Sequence, residues 1–597
     1  MKAISNNISK IGWIGLMLLC IASCNDVMDT QPFDKFSEDV VWSSKANADA
    51  FVFTTYHKIF RDRWVVYMEE EEWTNNNVNY NGSGFTRELI TRDNDFNFNQ
   101  FTEIRRCNLI IEKAAASTGL SETDKKELVA EGKFLRASIY YYLAKRFGIV
   151  VWVDRVLQPE EENYKFATTP DVKTTYGYII KDLEDAARDM AEEALSGRAS
   201  RYGAYALLSE VCLQAAAYTG DATLYQKAID AADAVINSQQ YELDSQYGDI
   251  FNEEGRFSKE IILGSYRNLA NTYCDNIPDL QQCIPNVNND RVNLSGGSPL
   301  FKVDKIFEAW IQWAVSQNLV DDYLVIDQTT KKAERWDQTS QFKASVVKET
   351  PSNNMVIDAG RIIDDARINE LMYQYRDNRF YGSVVYDSCV WFNETVNTCM
   401  LGNLCRDIGE TNFWGSSVTN YYWRKGVYNV SPRVFYGLPT DYHWVILRLG
   451  RVYMNKAEAL LRQGKIADAV EALNFTRVTH GQLPPSEANT EEEAWTDYKR
   501  ERRVELVKEG DYYWSLLRWG KYGGHANAGR EPGAKIVELT TPPTLVDITK
   551  NRKHYQIEQV IINQNNTREF DEMRRYLLPV PQGQRNQNEN LGQNANW

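Results

Sequence analysis

The sequence predicts an all-α fold in which helix pairs pack against a loop-rich C-terminal half with few short strands. Two observations predict it. Apolar residues recur every three or four positions over long stretches, which is the period of an α-helix with one buried face. Residues 265–300 and 380–445 are instead rich in Asn, Gly, Ser and aromatic residues, a composition that predicts long loops. Long loops on a helical scaffold are where binding sites usually lie.

The first residues of the chain predict export and a lipid anchor. Lys2 and Lys10 precede an apolar run at 11–20, and Ile-Ala-Ser then leads directly to Cys24. A charged region, an apolar region and small residues, in that order, are typical of a signal peptide. We therefore predict a lipoprotein signal over 1–23 and lipidation of Cys24. The alternative is a plain secretory signal in which the cysteine stands there by chance.

Helical periodicity begins after a polar tether, which we place at 24–45. Phe51, Thr55 and Ile59 recur at four-residue steps and predict a first helix over 46–60. The same period returns further along the chain. It predicts helices at 101–110 and 128–147, and three more within 175–237.

The most specific spacing lies at 452–475. A large residue, a small residue at a helix contact, a turn glycine and a second small residue follow one another as in a tetratricopeptide helix pair. The positions that fit are Tyr453, Ala457, Leu460, Gly464, Ile466, Ala469 and Leu473. Residues 205–236 follow the same spacing loosely. We therefore expect two or three such pairs embedded in one fold.

Charge and motif content exclude several classes of function. The net charge is −15 at pH 7, and such an acidic chain disfavours nucleic acid, whose phosphates attract basic surfaces. The motifs Gly-x-Ser-x-Gly, His-Glu-x-x-His and the Walker loop do not occur in the sequence. The five histidines are scattered, which disfavours a zinc site. We therefore expect no nucleic-acid partner, no enzymatic activity, no metal and no cofactor.

Seven cysteines follow Cys24 in the sequence. Because an exported protein can form disulfides, pairs that lie close in sequence are plausible bonds. Those pairs are Cys274 with Cys283, and two of Cys389, Cys399 and Cys405.

Two loop segments combine aromatic rings with amides, as sugar recognition requires. A Trp or Tyr ring offers a flat apolar face to a pyranose, and an Asn amide both donates and accepts hydrogen bonds. We predict a sugar-binding loop at Trp73, Asn75, Asn76, Asn77 and Tyr80, and an opposite wall at Tyr266, Asn268 and Tyr273. The alternative is that Trp73 is a buried anchor and that the asparagines are ordinary turn formers.

Three other clusters allow a functional and a structural interpretation, and the structural one is favoured for each. Trp310 and Trp313 have helical spacing and are expected in the core. The run Glu69–Glu72 could hold Ca²⁺, but a solvated acidic face is expected. A charged cluster near residue 500 could bind a ligand, but ion pairs on and between helices are expected. Its members are Arg500, Glu501, Arg502 and Glu505.

In order along the chain, several blocks resemble the SusD/RagB family of surface glycan-binding lipoproteins from Bacteroidetes-type bacteria. One block is Glu131-Gly-Lys-Phe-Leu-Arg-Ala137, followed by Phe147-Gly148. A second, Leu447-Arg-Leu-Gly-Arg-Val-Tyr-Met-Asn-Lys-Ala-Glu-Ala-Leu460, resembles a helix of that family. Arg500-Glu-Arg-Arg-Val-Glu-Leu506 and the later Leu578-Pro-Val-Pro581 continue the match in register.

The resemblance implies an N-terminal helical region over 46–300 and a C-terminal region over 301–597. It implies a protein on the outer membrane, held by the lipid on Cys24 and facing the cell exterior. Such a protein would capture oligosaccharides and deliver them to a SusC-like TonB-dependent transporter. The alternative is a peptide-binding lipoprotein of the same fold that feeds a TonB-dependent peptide transporter.

Overall fold

The computed structural model describes most of the chain. The residues described are 38–65, 67–79, 81–158, 161, 164–287, 307–406, 415–429, 437–520, 536–560 and 567–597. Cys24, Tyr80 and the predicted boundary at residue 300 lie outside these ranges. Within them, none of the helices has the length and apolar character needed to cross a membrane.

Long helices form the scaffold. In the first half they are α1 (Lys45–Tyr56), α2 (Phe101–Ala116), α3 (Glu122–Phe147), α4 (Val172–Asp189), α5 (Arg201–Thr219) and α6 (Thr223–Ile236). In the second half they are α7 (Leu449–Arg462), α8 (Ile466–Thr479), α9 (Glu491–Glu505) and α10 (Tyr512–Trp519). A π-helical segment, His57–Trp64, extends α1. Shorter helices lie at Glu38–Val41, Tyr67–Glu72, Pro278–Cys283, Gln317–Val320, Ser340–Ser345, Ile368–Tyr373, Asn378–Ser383, Val537–Thr540 and Gln582–Gln587.

The helices form one continuous array. Each helix from α2 to α6 packs against the next, α6 packs against α7, and α7, α8 and α9 continue the series. Ser121 begins α3 by accepting a hydrogen bond from the Asp124 N–H, and Gly148, with φ of 69°, ends it. Gly464, with φ of 71°, turns the chain between α7 and α8, where the tetratricopeptide spacing places a turn glycine. The predicted fold class is therefore confirmed.

Short strands lie outside this array. They are β1 (Asn77–Asn79), β2 (Ile261–Tyr266), β3 (Trp313–Val315), β4 (Val346–Lys348), β5 (Val356–Ile362), β6 (His443–Arg448), β7 (Thr544–Ile548) and β8 (His554–Gln559). Antiparallel pairing joins β1 to β3 and β2 to β6, and a four-stranded sheet has the order β7-β8-β5-β4. Two-residue strands lie at Asn286–Val287, Phe307–Glu308, Val325–Ile326, Ala333–Glu334, Val384–Val385, Val390–Trp391, Glu394–Thr395 and Tyr422–Trp423.

The prediction of a helix around Trp310 and Trp313 is wrong. Trp313 lies in β3, where it is buried and is the cross-strand partner of Asn79. Trp310 lies just before that strand with 39% of its surface exposed. The core interpretation therefore holds for Trp313 alone, because pairing with a strand that is distant in sequence overrides the local helical spacing.

The disulfide predictions are also wrong. Cys274, Cys283, Cys389 and Cys399 carry free thiols, so neither predicted pairing forms. Burial raises the pKa of the Cys283 thiol to about 12 and that of the Cys274 thiol to about 11. These side chains therefore pack in the core as small apolar groups.

A buried ion network joins α9 to the β2–β6 strand pair and to α8. The Arg448 guanidinium donates to Glu260 Oε1 at 2.8 Å, to Glu505 Oε1 at 2.6 Å and to Glu509 Oε1 at 2.8 Å. The His480 ring lies 2.9 Å from Glu260 Oε2 and 2.8 Å from Glu505 Oε1. Ion pairs of Glu501 with Arg379 and Arg477, of Arg502 with Asp511, and of Arg500 with Asp497 complete the predicted cluster.

Candidate ligand-binding site

The first predicted wall begins with Trp73, and the structure uses this ring as a packing anchor. The indole stacks on Phe85 with the ring centroids 4.1 Å apart, and Tyr513 meets it edge-on at 5.0 Å. Trp73 is partly buried against the main hydrophobic core. A ring whose face is covered by Phe85 gives no open platform on that side. The alternative interpretation of Trp73 as a buried anchor is therefore the one that the packing supports.

The three asparagines after Trp73 are buried, which contradicts the expectation of exposed amides. Arg503 donates to Asn76 Oδ1 at 2.7 Å and to Asn75 Oδ1 at 2.8 Å. The Trp423 indole N–H donates to Asn77 Oδ1 at 3.0 Å. The reason is that residues 77–79 form β1 and pair with β3, which places the segment inside the molecule. Amides that satisfy buried partners hold the fold and do not face a ligand.

The acidic run Glu69–Glu72 is another correction, because only Glu69 is exposed. Glu70 accepts from Arg146 at 2.6 Å, Glu71 from Asn76 at 2.8 Å, and Glu72 from Asn79 at 2.8 Å. Burial raises the pKa of Glu71 to about 7. The predicted solvated face is therefore wrong, and the carboxylates take part in internal hydrogen bonds.

The second predicted wall is on the surface. Tyr266 ends β2 opposite His443, and Tyr273 forms a bridge with Pro439, so both ends of the 267–272 loop join the same neighbouring segment. Asn268 stabilises the loop by accepting from the Ala270 N–H at 2.9 Å. Asn268 and Tyr273 are exposed, the latter by 39%. The structure thus brings the three residues of this wall onto one loop and its ends.

Tyr266 is the middle ring of an aromatic stack. Its centroid lies 5.9 Å from that of His443, with an angle of 10° between the planes. Phe257 stacks on Tyr266 at 5.4 Å and 25°, and 68% of Phe257 is exposed. The Arg256 guanidinium lies 4.9 Å from the Phe257 centroid. Phe257 is therefore the outer ring that solvent reaches, supported from beneath.

Sequence reasoning missed Phe257. It lies in a turn just before β2, and its three predecessors, Glu254-Gly-Arg256, form no aromatic or amide cluster. One signal was available. Phe257 is a bulky aromatic residue in a turn that follows Gly255, and residues in such loops usually lie at the surface.

Two adjoining clefts open beside Tyr266. Their volumes are about 360 Å³ and about 190 Å³, and both are lined by Ser196, Gly197, Leu263, Gly264 and Tyr266. The phenol ring of Tyr266 lies close to the backbone of β2 at Gly264. A Cβ added to Gly264 would lie only 2.7 Å from Tyr266 Cζ.

The two clefts differ in the charged residues that line them. The larger one is lined by Glu192, Glu193, Gln240 and by Arg198, which is paired with Glu131 and Asp49. The smaller one is lined by His57 and Arg267, whose Nη1 lies 3.2 Å from His57 Nδ1. An aromatic wall with polar and charged groups at each end is a site for a hydroxyl-rich ligand that also has apolar faces.

A separate cavity of about 370 Å³ lies between α2 and the short helix Gln582–Gln587. Phe98, Phe101 and Tyr164 line it together with the amides of Asn99 and Gln584. Because it also combines rings with amides, it is a second place where a sugar could bind.

Comparisons with known families match both halves of the chain. A sequence model described as the SusD family matches residues 281–597. A model described as starch-binding and associating with the outer membrane matches residues 35–213.

Similar proteins are known by sequence and by structure. The starch-binding protein SusD of Bacteroides thetaiotaomicron is 24% identical over 458 residues, which cover 74% of each chain. A SusD-like protein of Bacteroides ovatus is 22% identical over 274 residues, which cover 43% of this chain but only 49% of that relative. A solved SusD-like structure from Bacteroides fragilis covers 95% of this chain and 100% of its own, with 23% identity and a TM-score of 0.72. Surface glycan-binding protein A from Bacteroides uniformis has 16% identity and a TM-score of 0.59 over 92% of this chain and 99% of its own.

Proposed function

Because the chain belongs to the SusD family, we propose that it captures oligosaccharides at the cell surface and delivers them to a SusC-like TonB-dependent transporter. The observation that carries the proposal is the exposed ring of Phe257, which stacks on Tyr266, a residue that lines both clefts. A ring that is supported from behind loses little conformational freedom when a sugar stacks on it. The names of the similar proteins, starch-binding in one case and surface glycan-binding in another, agree with this chemistry.

The rest of the proposal concerns place and partner. The lipid on Cys24 would hold the protein at the outer membrane, with the binding surface facing outward. The description of the family that matches residues 35–213 includes association with that membrane. The affinity of a single site should be modest. One sugar ring stacks on one aromatic ring, and the hydrogen bonds that the sugar hydroxyls make to the protein replace hydrogen bonds to water. Anchoring beside a transporter would offset modest affinity through high local concentration.

The protein is proposed as a binding protein without catalytic activity. The peptide-binding alternative has no support from the relatives or from the aromatic surface described above. A peptide that bound in place of glycans would nevertheless refute the proposal.

Phe257→Ala is expected to weaken oligosaccharide binding about tenfold, which corresponds to about 1.4 kcal/mol. The exposed ring is lost while Tyr266 and the fold remain. Isothermal titration of residues 25–597 against plant, host and microbial oligosaccharides would measure the effect. Tyr164→Ala, which removes an exposed ring from the separate cavity at α2, is the matched control and should bind normally. Loss of binding in the control alone would move the site to that cavity, and no binding to any glycan would refute the proposed function.

Gly264→Ala is expected to weaken the same ligands severalfold with little loss of stability. Its Cβ would lie 2.7 Å from Tyr266 Cζ and Oη, so the ring must leave its position beneath Phe257. The atoms that the added Cβ meets belong to the far end of the Tyr266 side chain and not to the backbone, so β2 can stay in place. Gly177→Ala in α4 is the control, because nothing lies within 4 Å of its added Cβ. Titration and thermal melting would measure both variants, and unchanged affinity for Gly264→Ala would show that the ring position does not matter.

A further inference from the structure

We propose that the smaller cleft beside Tyr266 binds the anionic group of an acidic saccharide, a carboxylate or a sulfate, through Arg267. This inference rests on the proposed function and names the ligand class of the same site. It predicts that the natural ligand carries negative charge.

Two cations are held together here by a buried ring. The guanidinium carbons of Arg61 and Arg267 each lie 5.0 Å from the centroid of Trp444. Trp444 is buried, and its indole N–H donates to Asp279 Oδ2 at 3.0 Å, which fixes the ring. Like charges at one ring repel each other, so an anion bound at Arg267 would also be stabilised by the nearby charge of Arg61.

Protein carboxylates do not neutralise this pair. Within the part of the chain that the structure describes, neither guanidinium lies within 4.0 Å of a carboxylate. Asp62 is the nearby acid, but it is engaged by Lys58 at 3.2 Å and lies 3.7 Å from His57. By contrast, Arg256 on the same surface lies 3.5 Å from Asp441.

The local electrostatics favour the binding of an anion. Burial, and then the charge of Arg61, lower the pKa of Arg267. Burial, and then the charge of Arg267, lower the pKa of His57, so its ring is neutral near pH 7 and can share a hydrogen bond. The positive charge of Arg61 and Arg267 at this site contrasts with the net charge of −15 of the whole chain.

The Arg267 guanidinium is also accessible from the cleft. Arg267 and His57 line the 190 Å³ cleft together with Tyr266 and the exposed ring of Phe53. His57 and Arg61 both come from the π-helical segment that extends α1. Such π-turns are uncommon and often occur at functional sites.

The charged residues of the two clefts set the direction of the ligand. Glu192 and Glu193 line the larger cleft, and the Arg198 guanidinium there is already paired with Glu131 and Asp49, so the larger cleft favours an anion less than the smaller one does. The acidic group therefore lies at the Arg267 end, and neutral rings extend toward Phe257 and the larger cleft. A guanidinium binds carboxylate or sulfate oxygens in a forked geometry that an ammonium does not reproduce.

Titrations with matched ligands test the inference. Oligogalacturonate would be compared with its neutral methyl ester, and a sulfated oligosaccharide with its desulfated form. We expect at least one acidic ligand to bind tenfold or more tightly than its neutral partner, and the difference to shrink as salt rises. The two ligand pairs distinguish a carboxylate from a sulfate. Equal binding of both members of each pair would overturn the inference.

Arg267→Gln should reduce binding of the acidic ligand tenfold or more while leaving the neutral ligand unchanged. Arg267→Lys should fall in between, because it keeps the charge but loses the fork. Arg361→Gln removes an exposed arginine on β5 and serves as the control for loss of one charge. The inference would be overturned if Arg267→Gln weakened binding of the acidic and the neutral ligand equally. It would also be overturned if Arg267→Gln and Arg361→Gln weakened binding of the acidic ligand equally.

Failure of the inference and failure of the proposed function are distinguishable. Neutral glycans that bind and depend on Phe257, without a preference for acidic forms, would leave the proposed function and remove the inference. Absence of binding to all glycans would remove both. Thermal melting checks folding, and Arg267→Gln should melt no lower than the parent because it relieves repulsion with Arg61.

Discussion

Arg448→Ala is expected to lower the free energy of unfolding by about 3–5 kcal/mol. The guanidinium is fully buried and is shared by Glu260, Glu505 and Glu509. Without it these carboxylates remain in the core with too few cations. An uncompensated buried charge costs far more free energy than an intact ion pair contributes. The loss of stability therefore comes mainly from the buried carboxylates that no longer have a cation.

Urea unfolding followed by tryptophan fluorescence would measure this effect. Arg361→Ala is the control, because this half-exposed arginine lies 3.5 Å from Glu349 and should cost less than about 1 kcal/mol. If Arg448→Ala does not fold, Arg448→Lys keeps the charge with fewer hydrogen bonds and should give an intermediate loss. Equal losses for Arg448→Lys and the exposed control would contradict the prediction.

The stability of the protein is expected to fall as the pH rises from about 6.5 to about 9 because His480 loses its proton. Burial alone would lower the pKa of His480, but Glu260 and Glu505 raise it to about 9. The unfolded histidine titrates near 6.5. Because the folded pKa is the higher one, the stabilisation is complete below about 6.5 and disappears through about 9. The full difference is about 3 kcal/mol.

Comparison with a variant isolates this histidine from other titrating groups. Burial lowers the pKa of Lys425 to about 8, so this lysine makes stability rise with pH above that value and opposes His480 there. Urea unfolding of the parent and of His480→Gln at pH 6, 7 and 8 avoids most of that opposition. The parent should lose stability over this range, and the variant should be less stable at pH 6 with a flatter profile. Parallel profiles would mean that folding does not raise the pKa of His480.

The helical half of the molecule could be predicted because its signals are local. The α7–α8 pair follows from seven residues at fixed spacing, and Gly464 turns the chain where that spacing requires it. The period of apolar residues likewise predicts α3 and the helices from α4 to α6. In α4 and α6 one face is buried, so the buried positions recur within the segment itself. The second half of α3 and most of α5 are buried on all sides.

The candidate site was harder to predict because long-range contacts form it. An Asn-rich segment has the composition of a loop, but pairing of β1 with β3 buries it and gives its amides to Arg503 and Trp423. The exposed Phe257 gains its importance only from stacking on Tyr266, which lies on the next strand. Nothing in the residues near Phe257 specifies that contact.

The residues of the second predicted wall lie at the surface, and their role in binding stays a prediction. Tyr266 lines both clefts, and Tyr273 is exposed at the other end of the same loop. Here the aromatic and amide residues belong to a true surface loop, so composition and position agree. Arg61 and Arg267 lie far apart in sequence, and only the fold brings both guanidinium groups to the ring of Trp444.

The 267–272 loop leaves and rejoins the scaffold at one place. Tyr266 pairs with His443 and Tyr273 with Pro439, so both ends of the loop are fixed to one stretch of chain. Insertions and substitutions between these fixed ends need not disturb the helices behind them. The sequence of the loop can therefore change while the helical scaffold stays the same. A few substitutions in the loop would be enough to adapt the proposed site to a different ligand.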